Sequence, residues 1–330
     1  MNSEVHSAPV SSTNAQDSSN AATIAAQDHQ FEDKDIATVP GHWLLARLGR
    51  RVLRPGGLAL TQAMLNQAHL DNADVCEFAP GIGRTAEEII AHKPHSYVGI
   101  DRNADVVDIV NNIVRDYGEV RLANAQDTHL PAESVDVVVG EAILSMQSDE
   151  DKLAIMKEAF RVLRPGGHYA LHELGLEPDS LDETIKNDIR TDVSRAIKVN
   201  ARPATKHEWL ALLEQAGFQF EWSEAAPMLL MEPERVMADE GKERARVIMH
   251  NMATIPGAKE RVMEMKQTFG KYREYLRGIA LLCANRCKVR RGSAQTVVTT
   301  RISAHRSHVC VCICAIVLTL FVHHRKRRLL

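Results

Sequence analysis

From residue 75 the chain alternates short apolar runs with stretches of helical periodicity, and no other feature restricts its fold as strongly. Runs at 75–79, 97–101, 120–123, 135–140 and 169–174 are separated by apolar patterns at helical spacing at 85–92, 104–117 and 149–163. Repeated strand, helix, strand units of this length build a parallel sheet with helices on both faces. The runs at 98–100 and 135–139 lack regular polar alternation, as strands covered on both sides do. The pattern predicts a doubly wound α/β fold with a mostly parallel sheet. Ligands of such sheets sit beyond the carboxyl ends of the strands.

The flanks read as helical cover for that sheet. Apolar residues at helical spacing over 43–53 and 60–68 predict two helices before the first strand, lying over the sheet or capping the substrate mouth. After residue 174 the pattern predicts helices at 182–199, 206–216, 233–251 and 257–276, a strand at 218–223 and a last strand at 279–284. Leu-Arg-Pro-Gly-Gly occurs twice, at 53–57 and 163–167, and reads as helix-ending chemistry in both places.

Composition limits the partners. Forty basic and 43 acidic side chains leave a net charge of −3, so nothing draws the chain to nucleic acid. Six cysteines are poorly placed for a disulfide set, with three crowded at 310, 312 and 314, which fits a reducing, cytoplasmic compartment. Cys283-x-x-x-Cys287 supplies two ligands where a structural zinc takes four, so no metal is expected. Residues 1–38 are polar, lack a signal-peptide core and read as a disordered tail. Residues 39–288 read as one domain, with a cofactor-binding core at 73–175, and 289–330 as an extension. Within the extension 309–322 is an apolar run of 14 residues followed by basic residues to 328, short of the about 20 that span a bilayer. Its basic end suits an anionic membrane surface and its cysteines suit acylation, but its length favours an extension without a membrane role.

The chemistry concentrates at residues 77–85, where a strand runs through Glu77, Ala79, Gly81 and Gly83 into a helix. The glycines let the backbone turn sharply and approach a ligand, and the helix start presents free N–H groups. Gly81-x-Gly83-x-x-Ala86 followed by Asp101 also fits a dinucleotide fingerprint. Glu77 separates the two cases: its carboxylate would repel a pyrophosphate and attract a cofactor carrying an ammonium and a sulfonium. Asp101, with Arg102 beside it, ends the second strand and would accept hydrogen bonds from ribose hydroxyls.

Four blocks in this order carry a family resemblance: Glu77 to Gly83, residues 97–101, Asn124-Ala125 with Leu130-Pro131, and Arg161-Val162-Leu163-Arg164-Pro165-Gly166-Gly167 before a strand. The stretch 75–174 resembles the class I S-adenosylmethionine-dependent methyltransferases, especially the methyltransferase type 11 group, and 40–285 does so more loosely. The resemblance implies a Rossmann-like fold, S-adenosyl-L-methionine as cofactor and a small-molecule acceptor. It places Asn124 and Ala125 at the adenine, with Asp127 as the alternative partner, and Glu141 at the methionine end. Ala79 stands where the family commonly has glycine, and Asn124 where many members have aspartate. Methyl transfer requires alignment more than a base. If a base is used, Glu141, His172 and Glu173 are the candidates at the strand ends. Trp43, Trp209, Trp222, Met228, Met231 and Met237 are candidates for an apolar acceptor pocket, with core packing as the default for each. Two other readings remain open: an NAD(P)-dependent oxidoreductase, from the glycine fingerprint, and a non-catalytic cofactor-binding or membrane-tethered protein, from Ala79, Asn124 and the tail.

Overall fold

The computed structural model describes residues 35–286. The chain enters through a turn closed by the Val39 N–H on the Asp35 carbonyl at 2.9 Å, so residues 35–38, expected in the disordered tail, form part of the fold. Two helices follow, α1 (Gly41–Arg47) and α2 (Gly57–Gln67). The central layer alternates β1 (Asp74–Phe78), α3 (Arg84–Ala91), β2 (Ser96–Asp101), α4 (Ala104–Val114), β3 (Gly118–Leu122), β4 (Val135–Glu141), α5 (Asp149–Val162) and β5 (Leu163–Leu176). Then come α6 (Glu183–Ile197), the short β6 (Ala204–Thr205), α7 (Lys206–Ala216), β7 (Gln219–Pro227), α8 (Pro233–Glu240), α9 (Lys242–Thr254), α10 (Ala258–Lys271) and β8 (Leu276–Ala284).

The sheet order is β3-β2-β1-β4-β5-β8-β7, with β6 paired to β5. Strands β1 to β5 run parallel, while β8 lies antiparallel to both β5 and β7. The order reverses between β1 and β4, the switch point where a crevice opens at the strand carboxyl ends. Strand periodicity sorts neighbouring residues onto opposite faces. Val75, Ala170 and Ala280 pack on one face with Leu60 and Met64 of α2, Ile89 of α3 and Val110 of α4. Cys76, Leu171 and Leu281 pack on the other with Ile155 of α5 and Trp209 of α7. A third apolar cluster joins α1, α6 and α10 with the end of β5 and the start of β8, through Leu44, Val193, Met265, Leu176 and Leu276.

Three local expectations are corrected. The helix expected over 43–53 stops at Arg47, where the Gly49 N–H closes the last turn on the Ala46 carbonyl and Gly49 takes φ +99°. Val52 and Leu53 keep helical spacing, yet they lie on an irregular segment. The first Leu-Arg-Pro-Gly-Gly therefore precedes a helix start at Gly57, whereas the second ends α5 and runs straight into β5. The helix expected over 233–251 is two helices divided at Gly241, whose φ of +79° an L-residue adopts only with strain.

Candidate active site

The loop leaving β1 has its backbone in the left-handed region at Ala79 (φ +55°), Gly81 (φ +57°) and Gly83 (φ +80°). A Cβ on Gly83 would lie 2.4 Å from Ile113 Cδ1, so a larger residue would push that side-chain tip aside, and at φ +80° it would carry backbone strain as well. A Cβ on Gly81 would meet nothing within 4 Å, which leaves the loop open toward a ligand. Ala79 holds the same conformation without glycine's freedom, a local strain in the range of about 1–3 kcal/mol.

This loop borders a cleft of about 550 Å³. Ala79, Gly81, Asp101, Arg102, Asn124, Ala125 and Glu141, all expected at the cofactor, line it. Asp101 accepts the Asn103 N–H at 2.9 Å, and burial raises its carboxyl above the ordinary aspartate range. Asp127 is absent from the lining and lies instead 3.1 Å from His129. Glu77 is 2% exposed and accepts a 2.6 Å hydrogen bond from Tyr97 Oη. Burial pushes its carboxyl up to about 8, the Tyr97 bond opposes this, and the nearby Glu141 adds to it. It borders a smaller recess with Arg54, Thr85 and Gly81.

Glu141 is the hub of a buried network that links β4 to the amino-terminal segment. Its Oε2 pairs with Arg54 Nε at 2.9 Å and accepts from the Thr85 hydroxyl, which itself accepts from Arg54 Nη2. Its Oε1 accepts from Thr61 Oγ1 at 2.5 Å and from His172 Nδ1 at 3.0 Å. Burial alone would raise this carboxyl, but Arg54, His172 and Thr61 outweigh it and hold it down to about 2. Arg54 Nη1 is buried with no hydrogen-bond partner.

The three residues expected as bases are not built for that role. His172 is fully buried, and its Nε2 accepts the Gly56 N–H at 3.0 Å, so Nδ1 carries the proton toward Glu141 and no lone pair is left for a substrate. Glu173, also fully buried, accepts from the N–H groups of Ile143, Leu144 and Ser145 and from Ser145 Oγ at 2.6–3.1 Å. It fixes the turn after β4. Burial raises its carboxyl, and the four donors oppose that. Glu141, ionised and fully partnered, is a weak proton acceptor.

The 50–58 segment that delivers Arg54 is itself clasped from afar. Glu240 Oε1 accepts the N–H groups of Arg51 and Val52, each at 2.8 Å, and Asp239 Oδ1 accepts that of Leu58 at 3.0 Å. A Cβ on Gly278 of β8 would lie 2.2 Å from the Gly56 nitrogen, so this segment rests directly on the sheet. Sequence reasoning missed Arg54, Thr61 and Thr85. Thr61, a polar residue in the apolar row of α2 and fully buried, was the one visible signal. Of the aromatic and methionine candidates, Trp43 lines the cleft, Met228 an adjacent apolar cavity, Trp209 the core, and Met237 is exposed.

Residues 75–167 match the model of the methyltransferase domain family. The chain belongs to the class I S-adenosylmethionine-dependent methyltransferases. An uncharacterised Haemophilus influenzae protein is 30% identical to this methyltransferase over 247 residues, 73% of this chain and 96% of the relative. The cyclopropane synthase MmaA2 of Mycobacterium tuberculosis shares its fold with a TM-score of 0.57 at 14% identity, over 79% of this chain and 98% of that one. A geranyl diphosphate methyltransferase solved with S-adenosylmethionine does so with a TM-score of 0.51 at 15% identity, over 74% and 89%. Among the described residues of the methyltransferase no helix is long and apolar enough to cross a membrane. Residues 309–328 lie outside the described residues, as do four of the six cysteines, and Cys76 and Cys283 are buried free thiols.

Proposed function

We propose that the chain transfers a methyl group from S-adenosylmethionine to a small-molecule acceptor, with 39–288 as the catalytic unit and 73–175 as its cofactor core. The observation that carries this is the orphaned Arg54 Nη1 beside Glu77 and Gly81. A buried cation with one unmet donor next to a carboxyl held near 8 matches the α-carboxylate and α-ammonium of an amino acid. A pyrophosphate would instead hold Glu77 in its neutral form and gain no ion pair from it.

Bound here, S-adenosylmethionine supplies a methyl on a sulfonium for in-line displacement. Arg54 would hold the carboxylate and Glu77 the ammonium, ionising as it does so. Asp101 would accept from the ribose hydroxyls, with Arg102 at the cleft wall, and Asn124 and Ala125 would meet the adenine. Ala79, Gly81 and Gly83 shape the loop. Glu141 orients Arg54, and Thr61, Thr85 and His172 orient Glu141. Glu173 sets the 143–145 turn at the acceptor side. The chain's own contribution is alignment and exclusion of water. The clasped 50–58 segment and the helices after β5 enclose the acceptor side, which favours a small molecule over a polymer. Incubation of cell extract with methyl-labelled cofactor tests this: label should appear in a low-mass product, and label confined to protein or nucleic acid would refute it.

A further inference from the structure

Beside the cofactor cleft lies a second cavity, of about 80 Å³, walled by α1, α6, α10 and the residues following β7. Leu45, Val193, Ile197, Met228, Met265 and Phe269 form much of its surface, and no Asp, Glu, Lys or Arg lines it among the described residues. Two of its lining side chains, His42 and Ser145, bear nitrogen or oxygen. Ser145 Oγ donates to Glu173 at 2.6 Å and accepts the Leu174 N–H at 2.9 Å, so its hydroxyl is already engaged.

His42, Leu53, Ala142 and Met146 border both spaces. Of these, Ala142 and Met146 follow β4, next to Glu141, on the side assigned above to the methionine end. The cavity walls are tight. A Cβ on Gly41 would come within 2.8 Å of Met265 Sδ and 3.2 Å of Ile197 Cβ, so α1 rests directly on α6 and α10.

We propose that this cavity is the acceptor chamber and that the acceptor is uncharged and compact, with its apolar body among the α1, α6 and α10 side chains and its methyl-accepting atom at the Ala142 border. The assignment rests on the methyltransferase reading above. A carboxylate, phosphate or ammonium carried into this space would lose its hydration and meet no Asp, Glu, Lys or Arg in the wall among the described residues. An apolar body loses little and gains contact on every side. Selection is then by shape and neutrality, and polar recognition is confined to the border.

Three probes of one ring size separate charge from shape: cyclohexanol, cyclohexanecarboxylate and cyclohexylamine, titrated at neutral pH into full-length protein saturated with S-adenosylhomocysteine. Cyclohexanol is expected to bind with a negative heat-capacity change, and each charged probe at least ten-fold more weakly. Val193→Phe, which fills the chamber, is expected to weaken cyclohexanol at least ten-fold with S-adenosylhomocysteine affinity within two-fold of wild type. Equal or tighter binding of a charged probe would overturn the proposal, as would failure of all three on a protein that binds S-adenosylhomocysteine. Should Val193→Phe not fold, the wild-type series decides alone. Absence of S-adenosylhomocysteine binding would instead refute the underlying methyltransferase reading.

Discussion

Replacing Glu141 by glutamine tests the buried network with a magnitude the geometry supplies. Each carboxylate oxygen meets two donors: Thr61 and His172 on Oε1, and Arg54 and Thr85 on Oε2. A glutamine NH₂ therefore faces two donors in either orientation, and Arg54 is left as a buried charge without its partner. Breaking one side of such a pair costs about 3–5 kcal/mol. The depression of this carboxyl points the same way: about 2 in the fold against an ordinary 4.5 corresponds to about 3 kcal/mol. For a domain of this size that lowers Tm by about 6–12 °C at pH 7. Because the folded value is depressed, this stabilisation is present above about pH 4.5 and is lost as pH falls toward 2. Urea unfolding of wild type and Glu141→Gln should thus differ by about 1 kcal/mol less at pH 4 than at pH 7. Adding Arg54→Met to Glu141→Gln should restore part of the loss, since the orphaned cation goes with it. A single mutant within 1 kcal/mol of wild type at pH 7, or no recovery in the double mutant, would refute the argument.

Two further outcomes are expected. Arg54→Met alone should weaken S-adenosylhomocysteine binding at least ten-fold by calorimetry, about 1.4 kcal/mol or more for a charged hydrogen bond, and unchanged affinity would remove Arg54 from the site. Glu77, raised to about 8, is largely protonated at pH 7 in the free protein, so its stabilising contribution is full below about 4.5 and lost as pH rises through 8. An arriving ammonium favours its ionised form, so S-adenosylhomocysteine binding at pH 7 should release up to about one proton. The binding enthalpy should then vary with buffer ionisation enthalpy, and a flat dependence would contradict this role.

What was legible in the sequence was local. The strand and helix periods from β1 to β5, the glycine loop and Asp101 at the end of β2 each depend on residues a few positions apart, so pattern alone locates them. The bases were misplaced because burial is not local. His172 and Glu173 fall near the end of the 169–174 run, which reads as a strand end beside the crevice, whereas pairing of β5 with β4 and β8 and cover from the 53–57 loop enclose them. Arg54 was hidden in a motif whose second copy does end a helix. Its function needs Glu141 and Thr85, which only the folded chain brings near. The split at Gly241 escaped because apolar spacing continues across it, although the backbone there requires glycine.

The cleft from Glu77 to Glu141 is proposed to bind S-adenosylmethionine through Arg54, Glu77, Asp101 and Asn124. The most direct measurement is a calorimetric titration of wild type and Asp101→Ala with S-adenosylhomocysteine, beside NAD(P)H. One equivalent of S-adenosylhomocysteine should bind the wild type, at least ten-fold more weakly the folded mutant, and the nicotinamides neither. Binding of NAD(P)H in its place, or equal affinity in a folded Asp101→Ala, would contradict the account.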